Sequence, residues 1–331
     1  MDLKVHTKNV QTHPLDAPRR SRGYSVRSGM SGEFDFIHWV RKQVAAHDHV
    51  LVPPGDDLAV LKWPADDLLI VGVDQVLDGV HFESDVHTPR DIGRKVMNRN
   101  LSDCAAMACL PAAAVATVAL PKARGIDYAK QLFLGMKVAA EQFDCAIVGG
   151  DTASWDAPLA LTVSILGKSA GIKPITRSGA KPGDQVYVTG PLGGSLLGRH
   201  VEFTPRVNEA IAIAKVRRPT AMIDLSDGLS RDLGHICRES NVAAMVFEEQ
   251  LPIHRDAIEM RPDGRTPLDH ALHDGEDHEL LFTTAPEYAT LFPPPVASTV
   301  IGMIAAGVGV WLQRRDGGRE SLVPRGWEHG L

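Results

Sequence analysis

The sequence predicts two domains of mixed helix and strand, in an α+β arrangement rather than one doubly wound sheet. Three observations carry this. The chain has 331 residues, room for two domains of ordinary size. Its helix and strand signals alternate without a regular β-α-β-α rhythm. A stretch rich in glycine, proline and lysine, 167–183, separates two such groups of signals. It places the boundary between a domain over 31–167 and one over 168–331.

The elements follow in order. The first thirty residues carry Arg19, Arg20, Arg22 and Arg27 with almost no apolar period, which predicts a disordered tail. Met30 directly precedes the first periodic element and is read as a candidate start of translation. Phe34, Ile37, Val40 and Val44 recur at helical spacing over 33–46. Pro53 to Asp57 reads as a loop. Leu68 to Val71 reads as a buried strand ending at Asp74. Thr88-Pro89 is an N-cap followed by proline at the first helical position, opening a helix that stops before Pro111. Strand 112–120, helix 127–143, a short strand 146–148 running into Gly149-Gly150-Asp151, and strand 159–166 complete the first half. The second half reads as strand 185–189, a glycine turn at Gly190, Gly193 and Gly194, and helices 208–215 and 226–238. Strands 243–247, 279–283 and 299–304 follow.

Composition narrows the function classes. Hydrophobic residues make up 44% and charged residues 23%, a globular balance. The net charge of −6 gives no basic footprint for nucleic acid. No apolar run reaches the roughly 20 residues that span a bilayer. Cys104, Cys109, Cys145 and Cys237 form no C-x-x-C pair, which predicts neither zinc nor a dithiol site and fits a reducing cytoplasm.

There is no G-x-x-x-x-G-K-[ST] loop and no protein-kinase signature. The chain instead repeats aspartates beside glycine turns and at expected strand ends. They are Asp56 and Asp57, Asp74, Asp103, Asp151, and Asp224 with Asp227 in Ile223-Asp224-Leu225-Ser226-Asp227-Gly228. Two carboxylates about 4 Å apart repel by roughly 4 kcal/mol at an effective dielectric near 20. Gathered together they call for cations, and Mg2+ takes oxygen ligands while bridging to nucleotide phosphates. Such a site suits phosphoryl transfer, which needs positioning and charge neutralisation more than covalent help. Each aspartate alone also reads as a turn or cap residue, and the ordered series carries the signal.

That series resembles the thiamine-monophosphate kinase family, in the superfamily of aminoimidazole ribonucleotide synthetase. The matching segments include Gly55-Asp56-Asp57, Asp78-Gly79-Val80-His81-Phe82, Asn100-Leu101-Ser102-Asp103, Gly149-Gly150-Asp151-Thr152 and Arg177 to Asp184. Asp224 to Leu229 and Gly275-Glu276-Asp277-His278-Glu279-Leu280 complete them. The resemblance implies an α/β N-terminal half, an α+β C-terminal half, and a homodimer formed by N-terminal domains through a shared β-barrel. It implies ATP in a cleft between domains and phosphorylation of thiamine monophosphate. It assigns Mg2+ to Asp57, Asp74, Asp103, Asp151, Asp224 and Asp227, and the nucleotide to Gly150, Arg177 and Ser226. The acceptor falls to His81, Glu276 and Trp327.

This chain departs from the family pattern in places. Gly72-Val73-Asp74-Gln75 stands where the family shows hydroxyl residues around its aspartate, as in S-T-D-T. His278 stands where the family has tyrosine, and the chain closes on Gly326-Trp327-Glu328-His329-Gly330. Two alternatives follow: a different small acceptor, or a nucleotide-binding paralogue without turnover.

Overall fold

The computed structural model describes residues 33–53, 58–169, 171–216, 218–260, 263–286 and 296–326. The expected tail, Met30, most of the 53–57 loop with Asp57, and Trp327 lie outside the described residues.

The first half runs α1 (Glu33–Gln43), β1 (Val50–Val52), β2 (Val60–Leu61), β3 (Leu69–Leu77) and α2 (Pro89–Ala106). It continues with β4 (Leu110–Pro121), α3 (Gly125–Glu141), β5 (Ala146–Trp155) and β6 (Ala160–Lys168). The second half opens with β7 (Gln185–Val188), α4 (Arg199–Glu202), α5 (Val207–Val216), β8 (Ala221–Asp224) and α6 (Leu229–Ser240). Then come β9 (Ala243–Phe247), α7 (Arg255–Glu259), α8 (Pro267–His273), β10 (Leu280–Thr284), β11 (Thr299–Ala305), β12 (Gly309–Gln313) and β13 (Arg319–Ser321).

Each half builds one large sheet, and β1 and β2 of the first half pair as a separate antiparallel ribbon. The first large sheet has four strands in the order β3-β6-β4-β5, with β6 antiparallel to both neighbours and β4 parallel to β5. No closed barrel forms among the described strands of the single chain. Helices α2 and α3 cover one face, where Ile92, Leu132, Leu161 and Val163 are buried in one core. On the opposite face Val50, Ala59 and Leu61 pack over Ala113, Ala146 and Val148. The second sheet has seven strands, β13-β12-β9-β11-β7-β10-β8, with α6 and α8 packed into its core through Leu229, Leu233 and Leu272.

Helix α2 begins as its sequence predicts: Thr88 caps it by accepting the Asp91 N–H, and Pro89 follows. Two strands run further than expected. β3 does not end at Asp74, because β6 pairs with it from Leu69 to Leu77. The turn comes at Asp78-Gly79, where Gly79 has φ +79°. Nor is β3 buried: Leu69 is 52%, Val71 66% and Val73 64% exposed on its outer face. β5 runs through Gly149-Gly150-Asp151 to Trp155. A Cβ on Gly150 would lie 2.0 Å from the Ala116 carbonyl oxygen, so the glycine serves close strand approach, not a turn.

Candidate active site

The site gathers around α2, which both halves touch. A cavity of about 560 Å³, of ligand-site size, lies between Ile70 and Gly72 of β3, Asp103 of α2, Arg177, and Met222 and Asp224 of β8. Asp103, Asp224 and Arg177 are thus brought together as the sequence predicts. Asp224 is buried at the end of β8 and accepts the Ser102 hydroxyl at 2.6 Å. His278 Nδ1 lies 3.5 Å from that same oxygen, Oδ2. Burial works against the Asp224 charge, but His278, Ser102 and Arg99 outweigh it and hold the carboxyl below the ordinary range. Asp103 is exposed and opens into the cavity. The protein packed around its carboxyl, then Asp224 and Asp74, push it up to about 8. A pair of carboxyl groups so divided is the donor chemistry that suits a hard dication, so the residues present fit Mg2+.

Asp227 lies one turn beyond Asp224. Its N–H donates to Asp232 Oδ2 at 3.1 Å, and ligand atoms of Asp227, Asp232 and His235 all lie within 4.8 Å of one another. Burial raises the Asp227 carboxyl, and burial with Asp227 beside it raises Asp232 well above its usual range. Asp232 and His235 escaped the sequence reading. The signal was there as two polar residues on the first turns of α6, but helices carry such residues routinely.

Asp74 is placed differently. Its Oδ2 accepts Arg99 Nε at 2.6 Å and its Oδ1 lies 3.4 Å from Arg99 Nη2. Arg99 Nη1 reaches Glu276 Oε1 at 3.0 Å, and Lys95 Nζ donates to Glu276 Oε2 and to the His81 carbonyl, both at 2.6 Å. His81 and Glu276 are therefore brought together through Lys95. The His81 ring accepts the Leu77 N–H at Nδ1, 3.1 Å away. Burial opposes the Glu276 charge, and Lys95 and Arg99 overcome it, leaving the carboxyl lowered. Burial lowers Lys95 to about 8 against the pull of Glu276. Beside this network, burial and then Lys95 lower His200 to about 4, with its ring 5.3 Å from that of His87. Lys95 and Arg99 were missed from sequence. They sit four residues apart on a helix buried almost all round, where charged residues without a function are rare.

Asp151 is not brought to this cluster. It pairs with Thr117, Thr117 with Thr162, and Thr162 with Gln75. Three strand spacings separate it from β3, about 14 Å at 4.8 Å each. Its ladder partners also lie on the face opposite Asp74. Gly150 and Asp151 border a separate depression of about 90 Å³ with Phe36, Ile37 and Phe133.

A strap of backbone ties the two loops of the site. Glu276 N–H donates to the Ser226 carbonyl and His278 N–H to that of Leu225, both at 2.8 Å. Glu276 and His278 have φ of +60° and +51°, left-handed values that non-glycine residues take only where surroundings impose them. Asp277 turns away to accept the Gly193 N–H and pair with Arg199 at 3.0 Å, and Glu279 pairs with Arg206 at 2.7 Å. Of the acidic run, Glu276 alone faces the Lys95–Arg99 network. His278 stacks on Phe203 with ring centroids 3.9 Å apart and stands beside Asp224.

Comparison with known proteins agrees with this geometry. Residues 55–169 match the family model described as AIR synthase related protein, N-terminal domain. Thiamine-monophosphate kinase of Rhodopirellula baltica is 38% identical over 309 residues, covering 90% of this chain and 97% of that protein. The crystal structure of thiamine-monophosphate kinase from Stenotrophomonas maltophilia superposes with a TM-score of 0.73 at 34% identity, covering 87% of this chain and 97% of that one. A structure of AaThiL complexed with AMPPCP and TMP superposes with a TM-score of 0.72 at 29% identity, covering 93% of this chain and 100% of that one.

Proposed function

The chain belongs to the thiamine-monophosphate kinase family, and on that premise we propose that it transfers the γ-phosphoryl group of ATP to thiamine monophosphate. The observation that carries the reading is the Asp103–Asp224 pair facing a cavity of about 560 Å³ beside Arg177. The acceptor phosphate is largely ionised at neutral pH. Its oxygen attacks the γ-phosphorus as the bond to the bridging oxygen breaks, and no general base is required. Arg177 offers a fixed positive fork to phosphate oxygens. Asp103, Asp224 and Asp227 would hold Mg2+, which would neutralise charge on the transferred group. We place the acceptor beside His81 and Glu276, with Trp327 as its aromatic contact.

We further place the domain boundary at 167/168 and a second copy of the chain on the open face of the four-stranded sheet. Exposed Leu69, Val71 and Val73 on an edge strand support that dimer. The shared β-barrel would form there. The four cysteines are free and buried, as suits a cytoplasmic protein, and no described helix is long and apolar enough to cross a membrane.

The test is an assay with purified protein, ATP, Mg2+ and thiamine monophosphate that measures thiamine diphosphate. Product that disappears on chelating Mg2+ is expected; ATP binding without product would overturn the reading. For the dimer, Val71→Lys with Val73→Glu should yield monomers by sedimentation, and an unchanged mass would remove that interface.

A further inference from the structure

We propose that Arg99 stands in for a divalent cation at Asp74, so that Asp74 ligates no metal in this chain. The inference rests on the phosphotransfer reading above and changes its metal inventory.

Two independent observations converge on it. The first is the pairing. Arg99 approaches Asp74 side-on, with Nε at 2.6 Å from Oδ2 and Nη2 at 3.4 Å from Oδ1, while its third nitrogen holds Glu276 at 3.0 Å. The Arg99 side chain is 12% exposed and that of Asp74 26%. Burial disfavours the guanidinium charge, but Asp74 and Glu276 outweigh it, so it stays charged at any working pH. A dication on the same carboxylate would stand beside this fixed positive charge and be repelled.

The second is the strand around Asp74. Gly72 and Val73 offer no side-chain oxygen, and Gln75 points to the sheet's other face, where its Nε2 donates to Thr162 Oγ1 at 3.0 Å. A Cβ on Gly72 would come 3.9 Å from Asp103 Oδ2, so a longer oxygen-bearing side chain here could reach the Asp103 side, and glycine supplies none. Mg2+ demands six oxygens in near-octahedral array. The residues that would help Asp74 build that array are missing from β3, and a guanidinium occupies the carboxylate in their stead. At Asp103 and Asp224 the reverse holds. There two carboxyl groups line one cavity, and Asp224 accepts the Ser102 hydroxyl with no arginine bonded to it among the described residues.

Arg99 is thus a positioning residue. It keeps Asp74 and Glu276 neutralised without an ion and fixes them relative to each other. The divalent ions are confined to the Asp103–Asp224 side of the cleft.

The test counts bound Mn2+ per chain by electron paramagnetic resonance, in the full-length protein with a non-hydrolysable ATP analogue. Wild type and Asp74→Asn should bind the same number. Arg99→Val should bind one more, and Asp74→Asn in that background should remove it. Asp103→Asn should bind fewer than wild type. Loss of one Mn2+ equivalent in Asp74→Asn alone overturns the proposal while leaving the phosphotransfer reading intact. Wild type that binds no Mn2+, or Asp103→Asn that binds as many as wild type, overturns the metal site itself and this inference with it. Should Arg99→Val fail to fold, Asp74→Asn against wild type decides alone.

Discussion

The two ends of the cleft hold the same residue type in opposite circumstances. At one end Asp74 and Glu276 are answered by Arg99 and Lys95, at 2.6 to 3.0 Å. At the other, Asp103 and Asp224 line one cavity, and the protein packed around it, then the charge of Asp224, push the Asp103 carboxyl up to about 8. One helix supplies both arrangements: Lys95 and Arg99 on two of its turns, Ser102 and Asp103 on the next. A buried carboxylate therefore declares its role by its partner. Where the chain bonds its own cation to the group, no ion is needed there; where it does not, the group is available to one.

The contrast can be broken most forcefully at Glu276. Glu276→Gln leaves Lys95 buried without its counterion and should cost about 3–5 kcal/mol in chemical denaturation. A loss below 1 kcal/mol would mean that this end is not held by its ion pairs. At the other end, Asp224→Asn and Asp103→Asn should lower kcat by about 10²–10³-fold, the scale of a lost electrostatic contact to the transferred group. The melting temperature of Asp103→Asn should hold or rise, since it relieves repulsion, whereas that of Asp224→Asn should fall, since the fold favours the charge it removes. Rates within a few-fold of wild type in both would erase the distinction between the ends.

The pH dependence sharpens it further. The folded pKa of Asp103, about 8, lies above its unfolded value, so the folded protein binds the extra proton between pH 4 and 8. Stability from this group is present at low pH and lost as pH rises through 8. Mg2+ binds the ionised form, so its stabilising effect should be larger at pH 8.5 than at pH 6. Thermal melts with and without Mg2+ at both values would show it, and equal shifts would contradict it. The smallest effect is expected for Ser102→Ala, which removes a hydroxyl bond to a buried charge worth roughly 1.5 kcal/mol. Denaturation of the metal-free protein reads that loss.

Much of the fold was legible because its signals are local. The Thr88-Pro89 start of α2 and the run of β9 over Ala243–Phe247 need no tertiary knowledge. The extent of β3 and β5 was not legible, because aspartate and glycine were read as turn signals, whereas full-length pairing with β6 and a close approach to Ala116 keep both strands going. In the site, Asp103 and Asp224 were singled out by their sequence setting, and Glu276 and His81 only through the family resemblance. Lys95 and Arg99 were not. Their helix is buried on nearly every side, so it has no polar stripe against which a misplaced charge would stand out. Asp74 was singled out without Arg99, since 25 residues of sequence hide the arginine bonded to it.

The strap that bonds Glu276 to Ser226 and His278 to Leu225 has a bearing on how such a catalyst can change over generations. Acceptor side and ion side share backbone there, at two left-handed residues that tolerate little replacement. A substitution that retunes the acceptor through this segment shifts ion affinity in the same stroke. His87 and His200, beside Lys95, lie outside this strap, so changes there leave its two left-handed residues in place.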